Sequence, residues 1–189
     1  MKKAVLISIQ PKYAQAIASG AKTIEVRKTR PKLQPPFKVY IYETKGYDTL
    51  FYKKPAKLCV GGGAIIGEFI CDKIDTYEIE GYDSTNKYYQ SISKVYYDED
   101  GDSLSCLQVS NDMEREEQQK SYLLKKSQLT FDEIGQYVCG KKEFNFYIFF
   151  GWHITDLVIY DTPRKLSEYR RAGGKPITRA PQSWCYVEG

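Results

Sequence analysis

Hydrophobic and polar positions alternate along the chain with a period that changes from segment to segment. Ala4 to Ile9 is an apolar run of strand length. Pro11 then stands well as a first helical residue, where its missing N–H costs nothing. Ala14, Ile17 and Ala18 share one helical face, and Gly20 sits where a C-terminal cap belongs. From Lys22 to Lys28 the period falls to two. Ile24 and Val26 fall on the side that faces a core, and Thr23, Glu25 and Arg27 on the side that faces a cleft or solvent. The prolines of "TRPKLQPP" make 29–36 a loop. Phe37 to Glu43 alternates again, with Val39 and Ile41 on one face. "VGGGAIIGEFICDKI" is a Gly-rich turn leading into a long strand. It is no phosphate loop, because no Gly-Lys-Ser/Thr follows and a strand comes next.

The second half is less regular. Asp75 to Gln128 holds an acidic excess and long polar stretches, and is predicted to be an insertion. Asp98, Asp100 and Asp102 alternate there as in a calcium loop, but Val109 occupies the twelfth position, where a glutamate is needed. A hairpin turn through Asp100-Gly101 fits better. Asn111 and Glu114 stand at capping spacing before an exposed helix, and Thr130 and Glu133 repeat the spacing before a shorter one. Glu143 to His153 is rich in aromatics, which predicts a buried strand. Ile154 to Tyr160 continues as a strand or a bent pair. Thr162-Pro163-Arg164 is expected to turn the chain, Leu166 to Arg171 to form a helical turn, and Ser183 to Val187 a last strand. One early helix, about six strands and a helical insertion make an α+β fold built on a small mixed β-barrel. It is expected as one domain over 1–189, with the acidic insertion at 75–128.

Composition narrows the function classes. The chain has 189 residues, 42% hydrophobic and 28% charged, enough for a core with a solvated surface. It has no eighteen-residue apolar run, so no membrane partner is expected. The first apolar run is too short for a signal sequence. Five scattered cysteines (Cys59, Cys71, Cys106, Cys139, Cys185) without a Cys-x-x-Cys spacing suit reduced thiols in the cytoplasm. His153 is the one histidine, so neither a zinc centre nor a serine or cysteine triad is expected, and no cofactor or metal is implied. As a residue it suits a hydrogen-bonded structural role. The net charge of +4 is concentrated at both ends: Glu25 is the only acid from Met1 to Lys32, and Arg164, Lys165, Arg170, Arg171, Lys175 and Arg179 crowd the last third. If the ends meet in space, they make one positive face.

The octapeptide Gly20-Ala21-Lys22-Thr23-Ile24-Glu25-Val26-Arg27 resembles the Gly-x-Lys-x-x-Glu-x-Arg signature of the ASCH domain. "SIQPKYAQAIAS" before it, "IIGEFICDKI", "GWHITDLVIYDTPRKLSEY" and the terminal "APQSWCYV" are similar to further segments of that family, in the same order. The resemblance covers about 2–75 and 129–189 and not the insertion. It implies a PUA-like barrel, whose relatives bind RNA or a single modified base in a cleft lined by the signature strand. One branch hydrolyses acylated cytidine through the second threonine of Gly-x-Lys-Thr-x-Thr-x-Arg. Lys22 and Arg27 match that branch, but Glu25 stands in place of the nucleophile.

The chemistry of these residues points the same way. Lys22 and Arg27 suit phosphate, and Glu25 suits an exocyclic amine such as that of cytosine. Tyr13, Trp152 and Trp184 are candidates for stacking on a base. The expected ligand-binding set is Lys12, Tyr13, Lys22, Thr23, Glu25, Arg27, Gln182 and Trp184, with RNA or a modified nucleoside or nucleotide as partner. Three other readings stand beside it. Glu25 pairs with Arg27 or a neighbour as a structural salt bridge. Glu25 acts as general base with Lys22 as oxyanion stabiliser, in a hydrolase of modified cytidines or RNA. The acidic insertion serves a protein partner.

Overall fold

The computed structural model describes residues 3–45, 62–80, 91–97, 103–104, 113–140 and 147–189. The expected Asp100-Gly101 turn, the alternating Asp98, Asp100 and Asp102, the Asn111 cap, Cys59 and Cys106 lie outside them. The chain divides into two compact units, each built on one five-stranded sheet.

The first unit takes Met1–Lys22, Pro31–Asp72 and Ile154–Gly189. Its strands are β1 (Lys3–Ile9), β3 (Phe37–Glu43), β4 (Ala64–Cys71), β9 (Thr155–Arg164) and β10 (Trp184–Glu188), in the order β10-β1-β3-β4-β9. β1 runs parallel to β3 and every other pair is antiparallel, so the sheet is mixed. Helix α1 (Pro11–Ala18) begins on its proline, and Gly20 follows at φ +77°, a conformation that costs glycine nothing. Leu6, Tyr42, Ile65, Ile177 and Val187 pack on one face of this sheet. Pro163 does not turn the chain as expected, because β9 continues through Arg164. β9 is an edge strand, where a residue without an N–H breaks no ladder.

The second unit takes Thr23–Arg30 and Lys73–His153. Its sheet is antiparallel throughout: β2 (Ile24–Arg27), β8 (Tyr147–His153), β5 (Ile74–Glu80), β6 (Ser91–Tyr97) and β7 (Ser103–Leu104), in the order β2-β8-β5-β6-β7. Helices α2 (Met113–Ser127) and α3 (Phe131–Val138) supply Leu123, Ile134 and Val138 to a core shared with Ile24, Val26, Tyr77, Ile79, Ile92 and Phe149. The α3 start carries the expected capping box: Glu133 N–H donates to Thr130 Oγ1 at 3.1 Å, and Thr130 N–H to the Glu133 carboxylate at 2.8 Å.

The α+β class, the early helix and the mixed sheet are as expected. Among the described residues the strands number ten rather than about six, and neither sheet closes on itself. Much of the excess lies in 75–128, which holds nearly all of β5 together with β6 and β7, ahead of α2. Its buried positions, such as Tyr77, Ile79, Ile92 and Val95, are separated by polar residues, which dilutes the apolar signal over short strands. β8 is also less enclosed than expected, since Ile148 is 50% exposed while Phe149 and Trp152 are buried. That is the alternation of a strand with two unlike faces.

Gly67 sits where β4 comes close to the backbone of β9. A Cβ there would lie well inside contact distance of the Val158 carbonyl oxygen and 3.0 Å from Ile159 Cδ1. Backbone cannot swing aside as a flexible side chain can. Gly67→Ala is therefore expected to lower stability by about 1–3 kcal/mol in urea unfolding. An unchanged midpoint would show that the two strands separate freely.

Candidate nucleic-acid interface

The structure gathers the expected ligand-binding residues into three local groups. The first lies in the first unit, around α1. The Lys12 and Lys22 ammonium groups stand 5.2 and 5.4 Å from the centroid of the Tyr13 ring. Lys22 is held in the turn after α1, where its N–H donates to the Ala16 carbonyl at 2.9 Å, and it is 1% exposed. A cation over an aromatic face recovers part of the hydration that burial removes.

The second group is on β2, in the second unit. Thr23 N–H donates to the Lys126 carbonyl at 2.8 Å and fixes the start of the strand against the end of α2. Glu25 and Arg27 are two residues apart and so share a face. Arg27 Nη2 meets Glu25 Oε1 at 3.0 Å, with both side chains 8% exposed. All four residues of β2 are buried, so this face is withdrawn from water rather than open to it. Trp152 lies opposite Glu25 in the register and is fully buried, which leaves it no platform open to solvent.

The third group opens on a groove, and it lies in the first unit. Trp184 and Tyr186 alternate along edge strand β10, and their rings meet edge to face with centroids 5.3 Å apart. They line a groove of about 920 Å³ together with Lys3, Arg171 and Glu188. Lys3 Nζ stands 5.9 Å from the Tyr186 ring centroid. Arg171 is placed by the turn at Gly173 and Gly174, both at positive φ, and pairs with Val187 through an isolated bridge. Ser8 anchors the approach to β10: its N–H donates to the Ser183 carbonyl and its hydroxyl to the Pro181 carbonyl at 2.7 Å. Gln182, between those two contacts, is exposed. Pairing of β1 with β10 thus brings bases from both ends of the chain to one groove.

A family model for the ASCH domain matches residues 7–128. The chain belongs to the ASCH domain family. The crystal structure of ASCH from Zymomonas mobilis resembles this ASCH chain with a TM-score of 0.54 at 18% identity, covering 98% of this chain and 87% of that one. A mutant form of the same Zymomonas mobilis protein gives a TM-score of 0.51 at 19% identity, covering 99% and 91%. At such identities the likeness is one of fold. A comparison with curated proteins found no match. No described helix of this ASCH chain is long and apolar enough to cross a membrane.

Sequence reasoning did not find a fourth polar group, centred on Asp75 in the second unit. Asp75 is 5% exposed on β5. Its Oδ1 accepts from Lys94 Nζ at 2.8 Å and Lys73 Nζ at 3.1 Å, and its Oδ2 bonds His153 Nε2 at 2.8 Å. His153 is thus hydrogen-bonded, as expected of it. Lys73 precedes β5 and is two residues from Asp75, but Lys94 and His153 come from β6 and β8, which are neighbours of β5 in space and far from it in sequence, so spacing offers no signal for the cluster. Burial pushes the Asp75 carboxyl up, but the bonds from His153, Lys94 and Lys73 outweigh it and hold the carboxyl well below the usual range.

A carboxyl depressed in the folded state stabilises the fold fully above its unfolded pKa of about 3.9 and loses that contribution as pH falls through the folded value. Asp75→Asn is expected to cost about 3 kcal/mol at neutral pH, because it leaves cations in place without their carboxylate. The variant should also show a flatter fall in stability below about pH 4 than the parent. Thermal unfolding across acid and neutral buffers checks both, and parallel curves for the two proteins would contradict the assignment.

Proposed function

We propose that the protein binds single-stranded RNA or a modified nucleobase, with the Trp184 groove as the platform for a base. The observation that carries this is the pair of rings on one edge strand, half-buried and open to a groove, with Lys3 and Arg171 beside them. A base stacks on such a ring whatever its sequence, and the two cations suit the phosphates on either side of it. Glu188 in the same groove is an acceptor for base N–H groups and disfavours an extra phosphate there. Membership of the ASCH family, where RNA recognition is the expected role, supports the same reading.

Lys12, Tyr13, Lys22, Thr23, Glu25 and Arg27 enter the proposal as residues of the signature region. The Glu25–Arg27 pair has the polarity to recognise a base edge, with its carboxylate already oriented by the guanidinium. The hydrolase reading draws little from this geometry. Glu25 Oε1 already accepts from Arg27 at 3.0 Å, a contact that competes with taking a proton from water.

Binding of a fluorescent single-stranded RNA tests the proposal. Affinity is expected to fall steeply as salt rises, since phosphate contacts release counterions. Trp184→Ala should lower affinity by about 1–3 kcal/mol, which is roughly five- to 150-fold. Arg171→Ala should weaken binding less and reduce the salt slope. Binding that is unchanged in Trp184→Ala would remove the groove from recognition, and no binding at low salt would reject the function.

A further inference from the structure

Trp184, Tyr186 and Glu188 occupy alternate positions of β10, so their side chains stand on one face of the strand. All three are half-buried and line the groove. Across the ladder they face Ile7, Val5 and Lys3 in turn. Ile7 and Val5 are fully buried, so the two rings stand beside an apolar floor. Lys3 and Glu188 end the row with charge. The face therefore changes from aromatic to ionic towards the end of β10. An unpaired RNA base has the same two-part character, with faces that stack and an edge that hydrogen-bonds.

The groove holds these groups in place without a ligand. Tyr186 Oη accepts from the Lys32 N–H at 2.7 Å, and its ring meets Trp184 edge to face. The Glu188 N–H donates to the Arg170 carbonyl at 3.0 Å, and the Ala172 N–H to the Tyr186 carbonyl at 3.3 Å, so the turn at 170–174 is bonded along the outer edge of β10. Arg170 Nη1 donates to the Gly174 carbonyl at 2.9 Å and holds that turn closed. Glu188 Oε1 lies beside Gly174, 3.9 Å from where a Cβ on that residue would stand. Gly174 is at φ +82°, a conformation that suits glycine, and it sets no side chain over the carboxylate. Among the described residues no hydrogen bond or ion pair occupies the Glu188 carboxylate.

A carboxylate offers two acceptors side by side and no donor. Guanine alone among the four RNA bases presents two adjacent donors on its Watson–Crick edge, N1–H and the N2 amine. Adenine and cytosine set their amine beside a ring nitrogen that accepts, and uracil sets its N3–H between two carbonyl oxygens. Against each of those three, one carboxylate oxygen meets a lone pair. We propose that the groove selects guanine in single-stranded RNA and that Glu188 reads it. Oε1 and Oε2 accept from N1–H and the N2 amine while the base packs on Tyr186, and Trp184 carries the neighbouring base. This inference rests on the groove being an RNA site and adds the identity of the base.

Fluorescence anisotropy with a short labelled oligouridylate tests it, the central nucleotide being uridine, guanosine, inosine, adenosine or cytidine. The guanosine strand is expected to bind about tenfold tighter than the uridine, adenosine and cytidine strands. Inosine, which lacks the N2 amine, should fall about fivefold below guanosine. Glu188→Gln should weaken the guanosine strand about fivefold or more, and tighten the uridine strand about twofold by removing a negative charge from beside the phosphates. A variant that had only lost its fold would weaken both. Trp184→Ala should weaken every strand about fivefold or more. Equal affinity for all the strands, with Trp184→Ala still weakening them, would overturn the guanine preference and leave the groove as an RNA site. A guanine preference that persists in Glu188→Gln would overturn the role of Glu188. Binding that is indifferent to Trp184→Ala, or no binding at low salt, would overturn this inference together with the RNA reading of the groove.

Discussion

A carboxylate that is almost wholly buried has to be neutralised where it stands, and Asp75 meets that constraint with partners from β6, β8 and the residue just before β5. Isolated, its charge would cost several kcal/mol. With Lys73 at the head of its own strand, Lys94 across one ladder and His153 across the other, it becomes a fastening between β6, β5 and β8. The same face of the sheet continues into the apolar core of Tyr77, Ile79, Ile92 and Phe149 under the two later helices. One face thus changes from ionic to apolar along its length.

The period of two explains how the second unit keeps different chemistries apart. Ile24 and Val26 of β2 join the core, and the residues between them, Glu25 and Arg27, point to the other side with Trp152 opposite. Burial of all four makes the strand unusual, because two of its members are charged. The ion pair at 3.0 Å makes that burial tolerable. The pairing of Glu25 with Arg27, one of the two partners the sequence left open to it, is present in the fold. A structural pair and a recognition element are compatible, since an orienting guanidinium holds a carboxylate ready for a ligand.

The first unit solves a different problem. Its edge strand β10 presents Trp184 and Tyr186 beside cations drawn from both ends of the chain. Expected stacking residues therefore part company according to strand position. Trp184 stands at an edge and opens on a groove, while Trp152 stands within a sheet and is buried. Their neighbours lean the same way: Trp152 follows the aromatic run of "FNFYIFF", and Trp184 stands beside polar Gln182 and Ser183.

Local patterns in the sequence determined local structure. The proline and glycine that bound α1, the Thr130–Glu133 capping box, and the alternation in β2 and β3 each depend on residues within a few positions of one another. For that reason they are legible without a fold. The ordered signature segments likewise marked the ASCH family. Tertiary structure alone decided that Asp75, Lys94 and His153 meet, that Pro163 falls on an edge where a strand tolerates it, and that the acidic stretch contributes strands to a sheet. Those outcomes depend on strand order and register, which join residues such as Asp75 and His153, 78 positions apart, and leave no trace in local spacing. Burial of Lys22, Glu25 and Arg27 belongs with them: charge pattern named the residues, but only packing fixed how far they stand from water.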